Sequence, residues 1–83
     1  MYRAKLTARA KRGLKNLPKS YKEAVTLVVD ELKEQPIFGK PLGRELTGKF
    51  SIRIGVYRII YKIDKKDDIV LVLNVDHRSK VYN

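Results

Sequence analysis

SIRIGVYRIIYKI, Ser51 to Ile63, is the stretch from which the fold is read. Apolar and polar residues alternate on both sides of Gly55, the period of half-buried strands. If Gly55 and Val56 form a two-residue loop, Gly55 takes the first central position of a type II′ turn, where positive φ is needed. Ile54 then pairs with Tyr57, Ile52 with Ile59 and Phe50 with Tyr61 on the core face. On the other face Arg53 meets Arg58, Ser51 meets Ile60 and Lys49 meets Lys62. Like charges directly opposed in a sheet cost a few tenths to ~1 kcal/mol. An anion lying across the strands would reverse that sign, and two guanidinium groups offer bidentate donors matched to phosphate oxygens. The competing reading is a solvated charged face, and energies this small do not separate the two.

Outward from the hairpin, Tyr2, Ala4 and Leu6 alternate with Arg3 and Lys5 as a short strand. Thr7 offers a hydroxyl to cap a helix from about Ala8 to Asn16, with Ala10, Leu14 and Leu17 inward. Gly13 should weaken that helix by ~1 kcal/mol relative to Ala. Pro18 breaks it and can open the next helix, while Ser20 and Glu23 supply a competing start as a capping box. Tyr21, Ala24, Val25, Val28 and Leu32 recur at helical spacing until Pro36 stops the helix near Gln35. Pro36 to Gly48 reads as a loop carrying Lys40 and Arg44. In the last strand the alternation puts Ile69, Leu71, Leu73 and Val75 on one face, after a polar turn DKKDD, Asp64 to Asp68. The expected fold is α+β, in the order β-α-α-β-β-β. A helical pair packs on one face of a mostly antiparallel four-stranded sheet in a single domain, residues 1–83, and the other face is free for function.

Nineteen Lys and Arg against nine Asp and Glu give a net charge of +10, which makes a polyanion the default partner. A membrane surface fits less well, because no long amphipathic helix opposes basic and bulky apolar sides. The absence of cysteine excludes disulfides and thiolate metal sites. The N-terminus lacks an apolar signal segment and no apolar run approaches bilayer length, so a cytoplasmic protein is expected. Asp64, Asp67 and Asp68 flank two lysines without a histidine at ligand spacing, and read as turn residues rather than metal ligands. His77 supplies an imidazole, a group suited to proton transfer, although a lone histidine also serves as a structural hydrogen-bonding residue.

The chain ends VDHRSKVYN, Val75 to Asn83. Together with IRIGVYRIIY and the loop GKPLGRELTGKF, this resembles the RelE/ParE superfamily of toxins from toxin–antitoxin pairs, over nearly the whole chain. The RelE-like resemblance implies a messenger-RNA endonuclease that cuts at the ribosomal A site without metal or other cofactor. It implies Arg53, Arg58, Arg78 and Tyr82 as catalytic residues, and an acidic RelB-like antitoxin as partner in a hetero-oligomer. Lys40, Arg44, Lys49 and His77 are candidates for holding RNA. Ser51 stands where some members have a second basic residue, which leaves the general base open, with Lys49 on the same face. Tyr82 is suited to protonating the leaving 5′-oxygen or to stacking on a base. The ParE branch shares the fold but poisons DNA gyrase by binding protein, and a noncatalytic RNA-binding module is a third reading.

Overall fold

The computed structural model describes residues 1–36, 40–41 and 48–77. In chain order the elements are β1 (Arg3–Leu6), α1 (Ala8–Lys15), α2 (Lys19–Glu34), β2 (Lys40–Pro41), β3 (Lys49–Ile54), β4 (Tyr57–Asp64) and β5 (Ile69–His77). They form one sheet in the order β1-β5-β4-β3-β2, with β1 parallel to β5 and the other pairs antiparallel. The expected order of helices and main strands holds. The segment expected as loop also contributes β2, two residues that extend the sheet beyond β3.

The β3–β4 hairpin has the anticipated register at all six positions. Gly55 sits at φ +59° while Val56 does not enter the positive-φ region, as a type II′ turn requires. Gly55 also leaves no room for a side chain, since a Cβ there would lie 2.6 Å from the Tyr21 hydroxyl. Ile52, Ile59 and Tyr61 face the helices and join Ala10, Leu17, Val25 and Leu32 in the core. Each buried Ile, Val or Leu among them contributes about 1.5–3 kcal/mol on burial. Phe50 stacks on Tyr61 at 5.4 Å between centroids, and the Tyr61 hydroxyl donates to the Pro36 carbonyl at 2.8 Å.

The last strand corrects the expected face. Val70, Val72 and Val75 are the buried core residues of β5, whereas Ile69, Leu71 and Leu73 are half-buried. Tyr61 pairs with Val72 but Ile60 pairs with Asn74, so Leu73 is the extra residue of a β-bulge. The run IVLVLNV is apolar at consecutive positions, so alternation alone assigns it no face. The bulge changes the phase, bringing Val75 into the core and turning Asn74 out of it.

The bulge also anchors the first helix. The Thr7 hydroxyl donates to the Leu73 carbonyl at 2.9 Å and accepts from the Ala10 amide at 3.1 Å, which caps α1 as its sequence position suggested. Gly13 then meets β5 so closely that a Cβ would lie 1.8 Å from the Val75 carbonyl oxygen. Its cost in helix propensity is offset by an approach only glycine permits. α2 begins directly after Pro18, which takes the cap position without a side-chain cap bond, and ends at Glu34 before Pro36.

Candidate functional site

The face of the sheet turned away from the helices carries three cross-strand rows. Arg53, Arg58 and Asp76 share the first, Ser51, Ile60 and Asn74 the second, and Lys49, Lys62 and Leu71 the third. Lys5 on β1 continues the third row beside Leu71, and on β2 the backbone of Lys40 is in register with Ser51. Neighbouring strands lie about 4.8 Å apart, so the rows bring cations from separate strands within reach of one polyanion. The middle row is not open to solvent as the sequence suggested: Ser51, Ile60 and Asn74 are 7%, 6% and 7% exposed. β4 lies at the centre of the sheet. Ile60 nevertheless stands apart from the helix-side core.

Arg53 is exposed and Arg58 half-buried, one opposite the other as expected. The sequence reading missed what lies on the far side of Arg58. Asp76 of β5 occupies that register position, so the central arginine has a cation on one flank and a carboxylate on the other. A carboxylate thus stands in the neighbouring register position on β5. The Asp76 carboxylate is itself held, accepting from the His77 amide at 2.7 Å. Without the bulge, the register set at the β4–β5 turn would have placed Val75 opposite Arg58.

His77 does not share this face. It pairs with Tyr57 on the helix side, their ring centroids 5.8 Å apart at 78°, and Tyr57 meets Tyr21 edge-on at 4.7 Å. The structure thus brings Arg53, Arg58 and Lys49 to one face and sets His77 on the other. Arg44, Arg78 and Tyr82 lie outside the described residues, as does the side chain of Lys40. At the DKKDD turn Asp64 accepts from the Asp67 amide at 3.1 Å and Asp68 has φ +54°, the geometry of a turn.

The two faces communicate around one edge. β1 pairs with β5 only as far as Leu6 beside Val72, and beyond that point α1 takes its place alongside β5. A cleft of about 670 Å³ opens there, lined by Arg9, Arg12 and Gly13 of α1, by Asn16 and Leu17 just after it, and by Tyr57, Asn74, Asp76 and His77 of the sheet. Sequence periodicity gave no sign of it, because it depends on β1 being shorter than β5.

No helix among the described residues is long and apolar enough to cross a membrane. The family model described as the ParE toxin of the type II toxin–antitoxin system parDE matches residues 4–82. Toxin RelG of Mycobacterium tuberculosis is 42% identical over 83 residues, covering 98% of this chain and 95% of that protein. Toxin RelE of the same organism is 37% identical over 83 residues, covering 98% and 86%. The crystal structure of the Mycobacterium tuberculosis toxin–antitoxin complex RelBE2 contains a chain that superposes with a TM-score of 0.85 at 43% identity, covering 93% of this chain and 98% of that one.

Proposed function

Because the chain belongs to the RelE/ParE superfamily of type II toxins, we propose that it is a messenger-RNA endonuclease acting at the ribosomal A site. The observation that carries this reading is the pair Arg53 and Arg58, opposed across β3 and β4 on the face away from the helices, with Lys49 and Lys62 in register on the same face. In the proposed reaction the RNA 2′-oxygen attacks the adjacent phosphorus as its proton leaves. The P–O5′ bond breaks, a proton reaches the departing 5′-oxygen, and a cyclic phosphate remains. Negative charge grows on the nonbridging oxygens, and guanidinium groups fixed on strands stabilise it without changing protonation state. Arg58 and Arg78 take that role, Arg53 positions the phosphate, and Tyr82 protonates the leaving oxygen or stacks on a base. Lys40, Arg44, Lys49 and His77 hold flanking RNA. No step in this scheme calls for a metal or other cofactor.

The partner we assign is an acidic RelB-like antitoxin in a hetero-oligomer. The similarity to a RelBE2 complex and the net charge of +10 support it, and a cytoplasmic location follows from the proposed substrate. A second reading, a ParE-like gyrase poison, is favoured by the description of the matching family model. Primer-extension mapping of messages after brief induction separates them, with the intact chain compared to Arg58→Ala and Tyr82→Phe. Ribosome-dependent cuts lost in both variants are expected. DNA damage with intact messages would establish the gyrase reading instead.

A further inference from the structure

Apart from His77, the residues lining the cleft between α1 and the end of β5 have no part in the catalytic proposal. Eight cations precede the first carboxylate of the chain, Glu23, and those on α1, Arg9, Lys11, Arg12 and Lys15, are all exposed. Two of them, Arg9 and Arg12, line one wall. Asn74 lines the other wall at 7% exposure, and among the described residues no hydrogen bond engages its side chain. Its amide is available to a polar edge that enters the cleft. Asp76 stands beside it on the same strand, and the rings of Tyr57 and His77 complete that wall.

We propose that this cleft is a nucleotide subsite, which receives the RNA residue next to the one whose phosphate lies on Arg53 and Arg58; the assignment rests on the RNA-cutting reading above. Arg9 and Arg12 hold a phosphate. Asn74 presents a donor and an acceptor to the edge of the base, Asp76 accepts from an exocyclic amino group, and Tyr57 and His77 offer ring surface. Asp76 belongs both to the row of Arg53 and Arg58 and to the cleft, so the two positions are contiguous. The volume, about 670 Å³, lies within the range of small-ligand pockets, ~300–1,000 Å³. An acidic peptide would satisfy the arginines, and its backbone N–H groups would serve Asp76, but its carboxylates present no planar ring to Tyr57 and His77, so the contents of the cleft favour a base.

The test uses the full chain and RNAs of two, three and four nucleotides, 2′-O-methylated throughout so that they bind without being cut. Affinity is read by fluorescence anisotropy across a salt series. For the unaltered chain, adding the nucleotide that reaches the cleft should tighten binding about tenfold, the scale of one stacked base. Arg9→Ala and Arg12→Ala should lose that gain, each lowering the salt slope by about 0.7, while still binding the dinucleotide as the unaltered chain does. Both side chains are exposed, so the fold is kept, and unchanged melting checks this. Arg58→Ala should weaken every length. Equal gains in all proteins would overturn the subsite and leave the RNA reading standing, as would arginine variants that lose only the antitoxin. No RNA binding by the unaltered chain would overturn the subsite, while the primer-extension cuts decide the RNA-cutting reading separately. A uracil at the added position should bind more weakly than a cytosine, and equal affinity would overturn the assignment of Asn74 and Asp76.

Discussion

Ile59 and Ile60 are neighbours of identical chemistry and nearly identical burial, at 0% and 6% exposure, on the central strand of the sheet. Ile59 points into the helix-side core, among Val75, Ile52 and the residues of α2. Ile60 belongs to the opposite face, in register with Ser51 and Asn74 and between the rows headed by Arg58 and Lys62. One backbone therefore serves two purposes, and burial alone does not say which. On the helix side, burial supplies folding free energy. On the other side it provides a fixed floor beneath charged groups, and such a floor matters to a site that must hold arginines still.

Substitution at the two positions tests this division. Ile59→Ala should destabilise the fold by about 2–5 kcal/mol, the usual cost of truncating a core isoleucine, read as a loss in the chemical-denaturation midpoint. Ile60→Ala should fall at or below the ~2 kcal/mol end of that range. Equal losses would show that the second face is an ordinary core and would end the comparison. On the charged side the expected effect is on chemistry. Arg58→Ala should lower message cleavage by about 10²–10³-fold, the scale of losing one oriented donor to a developing charge. Arg58→Lys should recover only part, because an ammonium lacks the bidentate fork. Full activity in Arg58→Ala, measured by primer extension, would remove the arginine row from the mechanism.

The two faces also differed in how far the sequence revealed them. The β3–β4 hairpin was legible because its alternation is broken only at Ile60 and its turn carries glycine where positive φ is needed, so six pairs follow from one choice of loop. β5 was not, because IVLVLNV is apolar at successive positions and a one-residue bulge at Leu73 moves every later side chain to the other face. That shift is what sets Asp76 opposite Arg58 and Asn74 opposite Ile60, so the missed part of the candidate site has the same cause as the missed part of the fold. Arg78 and Tyr82, named from family resemblance, and Arg44, read as a cation of the loop, fall outside the described residues and are matters for mutagenesis. Gly13 was the one available signal for the cleft: a helix-weakening residue is retained where α1 touches the backbone of β5. Gly13→Ala should therefore destabilise, despite gaining ~1 kcal/mol of helix propensity, because its Cβ meets the Val75 carbonyl oxygen. Overpacking of this kind costs about 1–3 kcal/mol, and a stabilised variant in thermal melts would show that α1 does not lie so close.

The smallest effect expected is also the most specific to the charged face. Arg53→Gln removes one of two directly opposed cations, so it should stabilise the sheet by a few tenths of a kcal/mol, the lower part of the range for opposed like charges. The gain stays at that end because Arg53 is exposed, where solvent weakens pairwise charge effects. Salt screens exposed charges over about 10 Å at 0.1 M and about 3 Å at 1 M. The advantage of Arg53→Gln over the unaltered chain should thus shrink as salt is raised in denaturation curves, while its cleavage activity stays impaired at every concentration. Arg53 would then be a residue kept against stability for the sake of an anion. A variant less stable than the unaltered chain at low salt would mean instead that Arg53 makes a favourable contact in the free protein, and the opposed pair would no longer argue for a bound phosphate.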